Sequence, residues 1–218
     1  MPEETSFVPV KDWAKKYISP DNELRDAILM EPDTMSRIEV GMKIESVPTQ
    51  EQLKKVFSVA ALDTRAASAL MAFCGVRPQV VGSYRGMDGL MISDFVEAEV
   101  DNGSKQVTFK EIPTLVKVRR SISKAGHQYY TFMCEEGCDI LKTYWEKRMG
   151  EAGTLAPDSP AVKPRAVNKK SKFLWAVRTS DRIKLAIRKA GFQWRRYVLR
   201  CFFDRQMLFQ TAVHCSLS

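Results

Sequence analysis

No run among the 218 residues approaches the roughly 20 apolar positions of a membrane span. The first ten residues, MPEETSFVPV, carry acids and no apolar core of the signal-peptide kind, so no secretory signal is expected there. Cysteine is sparse: five residues, Cys74, Cys134, Cys138, Cys201 and Cys215, an odd and scattered set that makes no disulfide framework. Cys134 and Cys138 have no second pair and no histidine cluster to complete a zinc site, since the chain has only two histidines. Reduced thiols in a cytoplasmic protein are the expectation. The basic excess is concentrated in one segment. Lys163 to Arg205 holds 14 Lys and Arg against two acids, Asp181 and Asp204, a net +12 within a chain of net +8. A concentrated basic block is the footprint of a polyanion partner, most often nucleic acid. Taken alone, it reads equally as a solvated basic surface.

What is present is an ordinary globular composition, 44% hydrophobic and 28% charged. Residues 1–46 are cut by Pro9, Pro20 and Pro32, and read as a remnant or linker. Thr49 and Gln52 match a capping box ahead of Leu53, Val56, Phe57 and Ala60. Asp63 or Thr64 caps a second helix with Ala66, Ala69, Leu70 and Phe73 on one buried face. Gly75 ends it, and Pro78 restarts a short helix, which leaves Arg77 at the corner. On these residues alone Arg77 is a surface arginine at a helix start. A strand is expected over Leu90–Val96, a turn at Asp101-Asn102-Gly103, and a further strand through Val107 and Phe109 up to Pro113. Leu115–Ile122 and Gln128–Met133 form a hairpin around Gly126, with Lys124 at its tip. Residues 137–149 read as a helix, and Gly150–Pro164 as a connector. Thr179 or Ser180 caps a basic helix that ends at Gly191, and a last helix begins near Arg195 or Arg196. The fold class is α+β: mainly helical, with a small antiparallel sheet or hairpin.

The order Gly75-Val76-Arg77, hairpin Lys124 and Tyr197-Val198-Leu199-Arg200 resembles the catalytic domain of tyrosine recombinases, the phage-integrase family, nearest its archaeal integrase and Xer-like branch. The resemblance spans Lys43–Phe209. It implies an incomplete catalytic domain over residues 47–209 and a tail outside the family pattern over residues 210–218. It also implies Arg77 and Arg200 as a clamp on a DNA phosphate, and Lys124 as general acid toward the leaving 5′-oxygen, with Lys117 as second choice. Tyr197 stands where the family's H-x-x-R box has histidine, and Val80 where many members carry an acid. Forked, permanently charged guanidinium groups suit a phosphate gaining charge in a transition state. No cofactor and no metal are implied.

The family pattern continues past the second arginine to a nucleophilic tyrosine. Here the last tyrosine is Tyr197, and His214 sits in the wrong context to be the missing histidine. The expectation is a truncated recombinase from a mobile genetic element. It binds DNA but does not cleave it alone, and its partners are double-stranded DNA and an intact recombinase protomer. Arg182, Arg188, Lys189, Arg195 and Arg196 are the expected non-catalytic DNA contacts. Two other readings stand beside it. One is a basic DNA-binding protein without chemistry. The other is an RNA-binding protein stacking bases on Tyr129, Tyr130 and Phe132, residues more simply taken as sheet core and cross-strand pairs.

Overall fold

Thr49 opens the first helix, α1 (Gln50–Val59), through the capping box its spacing to Gln52 predicts: the Gln52 N–H donates to Thr49 Oγ1 at 3.3 Å, and Gln52 Oε1 accepts the Thr49 N–H at 2.9 Å. This computed structural model describes residues 47–164 and 171–206, which lie in one unit, Glu45–Ser218. The reading of residues 1–46 falls outside the described residues, as does that of residues 210–218.

The second helix, α2 (Leu62–Cys74), is the element the others pack on. It is buried round nearly its whole circumference, where one buried face is expected. Small residues make this possible, because Ala66, Ala67, Ser68, Ala69 and Ala72 let neighbours approach from both sides. Ala66, Ala67, Leu70 and Cys74 belong to one hydrophobic core, and Ala69, Met71 and Ala72 to another. The α2 N-cap is Ala61, with no side-chain cap bond. Asp63 lies inside the first turn, so neither Asp63 nor Thr64 is the cap. Gly75 ends α2 at φ +64, with the Phe203 ring against the place a Cβ would take. A four-residue helix, α3 (Pro78–Val81), restarts the chain with proline in its first turn and Arg77 as its N-cap.

The expected strand over Leu90–Val96 does not form. Its place is taken by a single bridge at Met91 to Pro160, a 3-10 turn at Ile92–Asp94, and a bridge from Phe95 to Val116. The reason is where the backbone partners lie. Ile92 and Ser93 donate to the carbonyls of Ser159 and Pro157, while Asp94 Oδ2 turns back to accept the Met91 N–H. β1 (Ala98–Asp101) and β2 (Gln106–Phe109) then pair antiparallel around the expected turn, where Asp101 Oδ1 accepts the Gly103 N–H at 2.8 Å. β3 (Thr114–Val118) and β4 (Tyr129–Met133) form the second antiparallel pair, in register Val118 to Tyr129 and Thr114 to Met133. β3 is shorter than expected because the chain turns at Arg119, whose carbonyl accepts the Ile122 and Ser123 N–H groups. Gly126, at φ +71, makes the loop.

α4 (Glu135–Ala152) runs through Gly150 and stops at Gly153, so the connector begins later than read. The connector is itself core: Ala161 and Val162 are fully buried, and the Ala161 carbonyl accepts the Trp145 indole N–H at 2.9 Å. α5 (Ala176–Lys189) starts earlier than expected. Thr179 and Ser180 are not caps, because their hydroxyls donate back to the carbonyls of Trp175 and Ala176. A last helical segment covers residues 198–206, with Val198, Leu199 and Phe202 buried. The first core joins the hairpins and α4 to α2. The second joins α1, α5 and this last segment to α2.

Candidate functional site

Both cores meet at the C-terminus of α2. A helix end leaves carbonyls without intrahelical partners, and here each core supplies a donor. From the hairpin side, Thr131 Oγ1 on β4 donates to the Cys74 carbonyl at 2.9 Å. From the other side, Arg200 Nε in the last helical segment donates to the Gly75 carbonyl at 2.7 Å. A charge-assisted bond of this kind is worth roughly 1.5–3 kcal/mol, and a cation there also suits the negative end of the helix dipole. Two segments 125 positions apart are thereby fixed at one turn.

Arg77 follows two residues later. Buried Val76 and half-buried Pro78 flank its backbone, while its side chain is exposed. Among the described residues, neither Arg77 nor Arg200 has a carboxylate partner. Tyr129 opens β4 on the same sheet face as Thr131, because alternate residues share a face. Burial lifts its phenol above the usual 10.0, and the charges of Arg200 and Arg77 pull against that rise. Tyr129 therefore stands in the field of both arginines as a neutral hydroxyl. Two permanent cations and a hydroxyl donor, with no acid paired to them, make a site for an anion with several oxygens.

The sequence-read residues distribute as follows. Arg77 and Arg200 are brought to one turn. Tyr197 is exposed beside them, with the Arg200 guanidinium 5.7 Å from its ring centroid. Lys124 is exposed in the hairpin loop that precedes Tyr129. Lys117 pairs with Tyr130, on the sheet face opposite Tyr129 and Thr131. Arg188 and Lys189 are exposed in the last turn of α5, Arg195 is exposed after it, and Arg196 is half-buried. Arg182, half-buried, has Nη1 ion-paired with Asp63 at 2.9 Å, and the pair ties α5 to the first turn of α2.

Sequence reading missed Tyr129, Thr131 and Arg119 at the site. Strand alternation separates the three hairpin aromatics. Tyr129 faces the arginine side, while Tyr130 and Phe132 point away and are 52% and 45% exposed. They are therefore not sheet core, and the trio does not form one platform. Arg119 fixes the hairpin base. Its Nε lies 3.0 and 3.1 Å from the two Asp94 oxygens, and its Nη2 reaches Asp88 at 3.0 Å and the Gly89 carbonyl at 2.5 Å. The loop after Arg77 and the strand beside Tyr129 are locked together by that one side chain.

This arrangement of helices and hairpins has a solved counterpart. The fold is similar to that of XerA recombinase. The similarity has a TM-score of 0.51 at 19% sequence identity, over 84% of this chain. The chain spans 56% of the length of that recombinase chain. No protein-family model matches the sequence, and no curated protein does. The recombinase-like fold is what the comparison establishes, and it agrees with the α+β architecture expected from the sequence.

Proposed function

We propose that the chain binds duplex DNA and holds one backbone phosphate between Arg77 and Arg200, in the manner of a tyrosine-recombinase catalytic domain. The observation that carries this reading is the Arg200–Gly75 hydrogen bond. It places the second arginine at the turn that presents the first, with two guanidinium groups and no paired acid. Lys124 is proposed as general acid from the mobile reach of a long side chain in the hairpin loop, and Tyr197 as a hydrogen-bonding neighbour at the histidine position. Residues 47–209 are proposed as the incomplete catalytic domain. Arg188, Lys189, Arg195 and Arg196 add phosphate contacts along the basic segment.

No tyrosine follows Arg200 in the 218 residues. These residues are proposed to bind the phosphate without forming a phosphotyrosyl link of their own. The test uses a nicked suicide duplex that traps phosphotyrosyl intermediates. Binding without a covalent adduct is expected, and an adduct formed by this chain alone contradicts the proposal. The purely binding reading differs only in lacking any response to a partner: addition of an intact recombinase distinguishes the two by the appearance or absence of an adduct.

A further inference from the structure

Past α3 the chain makes a tight turn, Ser83 to Gly86, and comes back toward Gly89. The Gly86 N–H donates to the Ser83 carbonyl at 3.1 Å, with Gly86 at φ +67. Ser83 ties the two limbs. Its Oγ accepts the Met87 and Asp88 N–H groups at 3.1 and 3.3 Å, and its own N–H donates to the Asp88 carbonyl at 2.7 Å. The turn is also fastened to the chain at the start of α5. The Phe173 N–H donates to the Gly86 carbonyl at 3.0 Å, and the Ala176 N–H to the Ser83 carbonyl at 3.2 Å. Gly86 rests on the Trp175 indole, where a Cβ would come within 2.5 Å of Cδ1.

This braced turn holds Tyr84, Arg85 and Met87 outward. Tyr84 and Met87 are 68% and 69% exposed, more than any other large hydrophobic side chain among the described residues. Arg85 between them is exposed and makes no ion pair or side-chain hydrogen bond among those residues. The acids nearby are already matched. Asp88 turns inward onto Arg119 and the Gly89 N–H, Asp158 is paired with Lys172, and Asp181 with Lys184. Arg178, with its guanidinium 5.0 Å from the Trp175 ring centroid, has no acid partner among the described residues. The charge left over around the turn is positive.

Apolar tips beside an unmatched arginine suit a partner with an anionic rim and an apolar floor. The minor groove of a duplex has both: its phosphates line the rim, and methionine is among the side chains that wedge between base steps there while arginine follows the groove. At about 6 Å wide the groove excludes a helix and admits the tip of a turn. The turn is also close to the arginine pair. Tyr84 follows Arg77 by seven positions, four of them in α3. Even with the other three extended, the two backbones lie no more than about 17 Å apart. That is about five base pairs of duplex length.

We infer that the Ser83 to Gly86 turn enters the minor groove of duplex DNA beside the phosphate at Arg77, with Arg85 along the groove and Tyr84 and Met87 pressed against a base step. The inference rests on the duplex-binding reading and adds to it a groove, a wedge and a preference for A·T steps.

Two duplexes test it. One is made of A·T steps, and the other has 2,6-diaminopurine in place of adenine, which adds an amino group to the minor groove and leaves the major-groove pattern in place. The full chain is expected to bind the first about tenfold tighter. The double variant Arg85→Ala, Met87→Ala is expected to bind both duplexes equally, with its thermal melt unchanged because both side chains are exposed. Lys189→Gln, at the far end of α5, is expected to weaken both and keep the preference. Salt-dependent duplex binding that ignores the added amino group overturns the wedge and leaves the arginine clamp in place. A preference that survives in the double variant also overturns the wedge. Absence of any duplex binding overturns clamp and wedge together. A preference and an affinity that Arg77→Ala and Arg200→Ala both leave intact count against the clamp and support the wedge. A dimer seen by sedimentation that the double variant dissolves, with neither duplex affinity changed, assigns the turn to a second copy of the chain and overturns the inference.

Discussion

Arg77 and Arg200 look alike in sequence and differ in what surrounds them. Arg77 is exposed and makes no side-chain hydrogen bond among the described residues, so Arg77→Ala is expected to leave stability within about 0.5 kcal/mol. Its duplex affinity is expected to fall roughly tenfold. Arg200 also closes the α2 terminus, so Arg200→Ala is expected to lose affinity and about 1.5–3 kcal/mol of stability together. Thermal melts and DNA titrations on the two variants check this split; equal stability loss in both would remove the helix-end role of Arg200. Cysteine chemistry is a third residue-scale matter. Burial lifts the Cys134 thiol to about 12 and the Cys138 thiol to about 11. Alkylation of the folded chain at pH 8 is therefore expected to be slow at both and fast only after denaturation, because the thiolate is the reactive form. Rapid labelling of either in the folded chain contradicts it.

The hairpin and the α2–α3 corner hold their places through Arg119, and that clamp sets an element-scale expectation. Removing it with Arg119→Met leaves Asp94 buried without its cation, a change expected to cost about 3 kcal/mol. Denaturant unfolding measures the loss, and a neutral variant contradicts the clamp. Asp88 gives the same joint a pH dependence. Burial opposes its ionisation, yet hydrogen bonds from Ser121, the Gly89 N–H and Arg119 hold it below 3.8. A depressed folded value means that the stabilisation is complete above the unfolded value and is lost as pH falls through the folded one. Stability is thus expected to decline below about pH 4, and to do so less in Arg119→Met. Gly82 supplies a second element-scale test. A Cβ there would lie 1.8 Å from the Leu174 carbonyl oxygen, a backbone atom that cannot swing away. Gly82→Ala is expected to cost at least about 1–3 kcal/mol, read as a drop in melting temperature of several degrees.

Legibility also divides by element. The Thr49 capping box, the Gly75 stop, the Pro78 restart and the Gly126 hairpin were readable because each rests on bonds within a few residues. The Leu90–Val96 segment was not. Its apolar run suits a strand, but its backbone partners are split between Val80, Leu115 and Val116 and the segment from Pro157 to Ala161 that reads as a loose connector. Thr179 and Ser180 have the chemistry of caps, and only the chain before Ala176 shows that the helix has already begun. At the site, motif order pointed to Arg77 and Arg200. Tyr129 and Thr131 carry no local signal, since their role depends on which hairpin face meets α2.

At the scale of the whole molecule, α2 lies between two cores, and its C-terminus is where both contribute side chains to one turn. That placement explains how arginines 123 positions apart in sequence come to the same turn. The basic excess of Lys163–Arg205 then surrounds the second arginine. Its charges are not equivalent, because Arg182 is committed to Asp63. Arg182→Gln is therefore expected to destabilise the α2–α5 joint, while Lys189→Gln at the exposed end of α5 weakens all duplex sequences alike and leaves the melt unchanged. The salt dependence of duplex affinity tests the phosphate clamp most directly. On duplex DNA each neutralised phosphate contributes about −0.9 to the slope of log K against log salt. The account predicts a steep slope for the unaltered chain, and one shallower by about one contact in Arg77→Gln and again in Arg200→Gln. A slope near zero, or one that neither substitution changes, would contradict it.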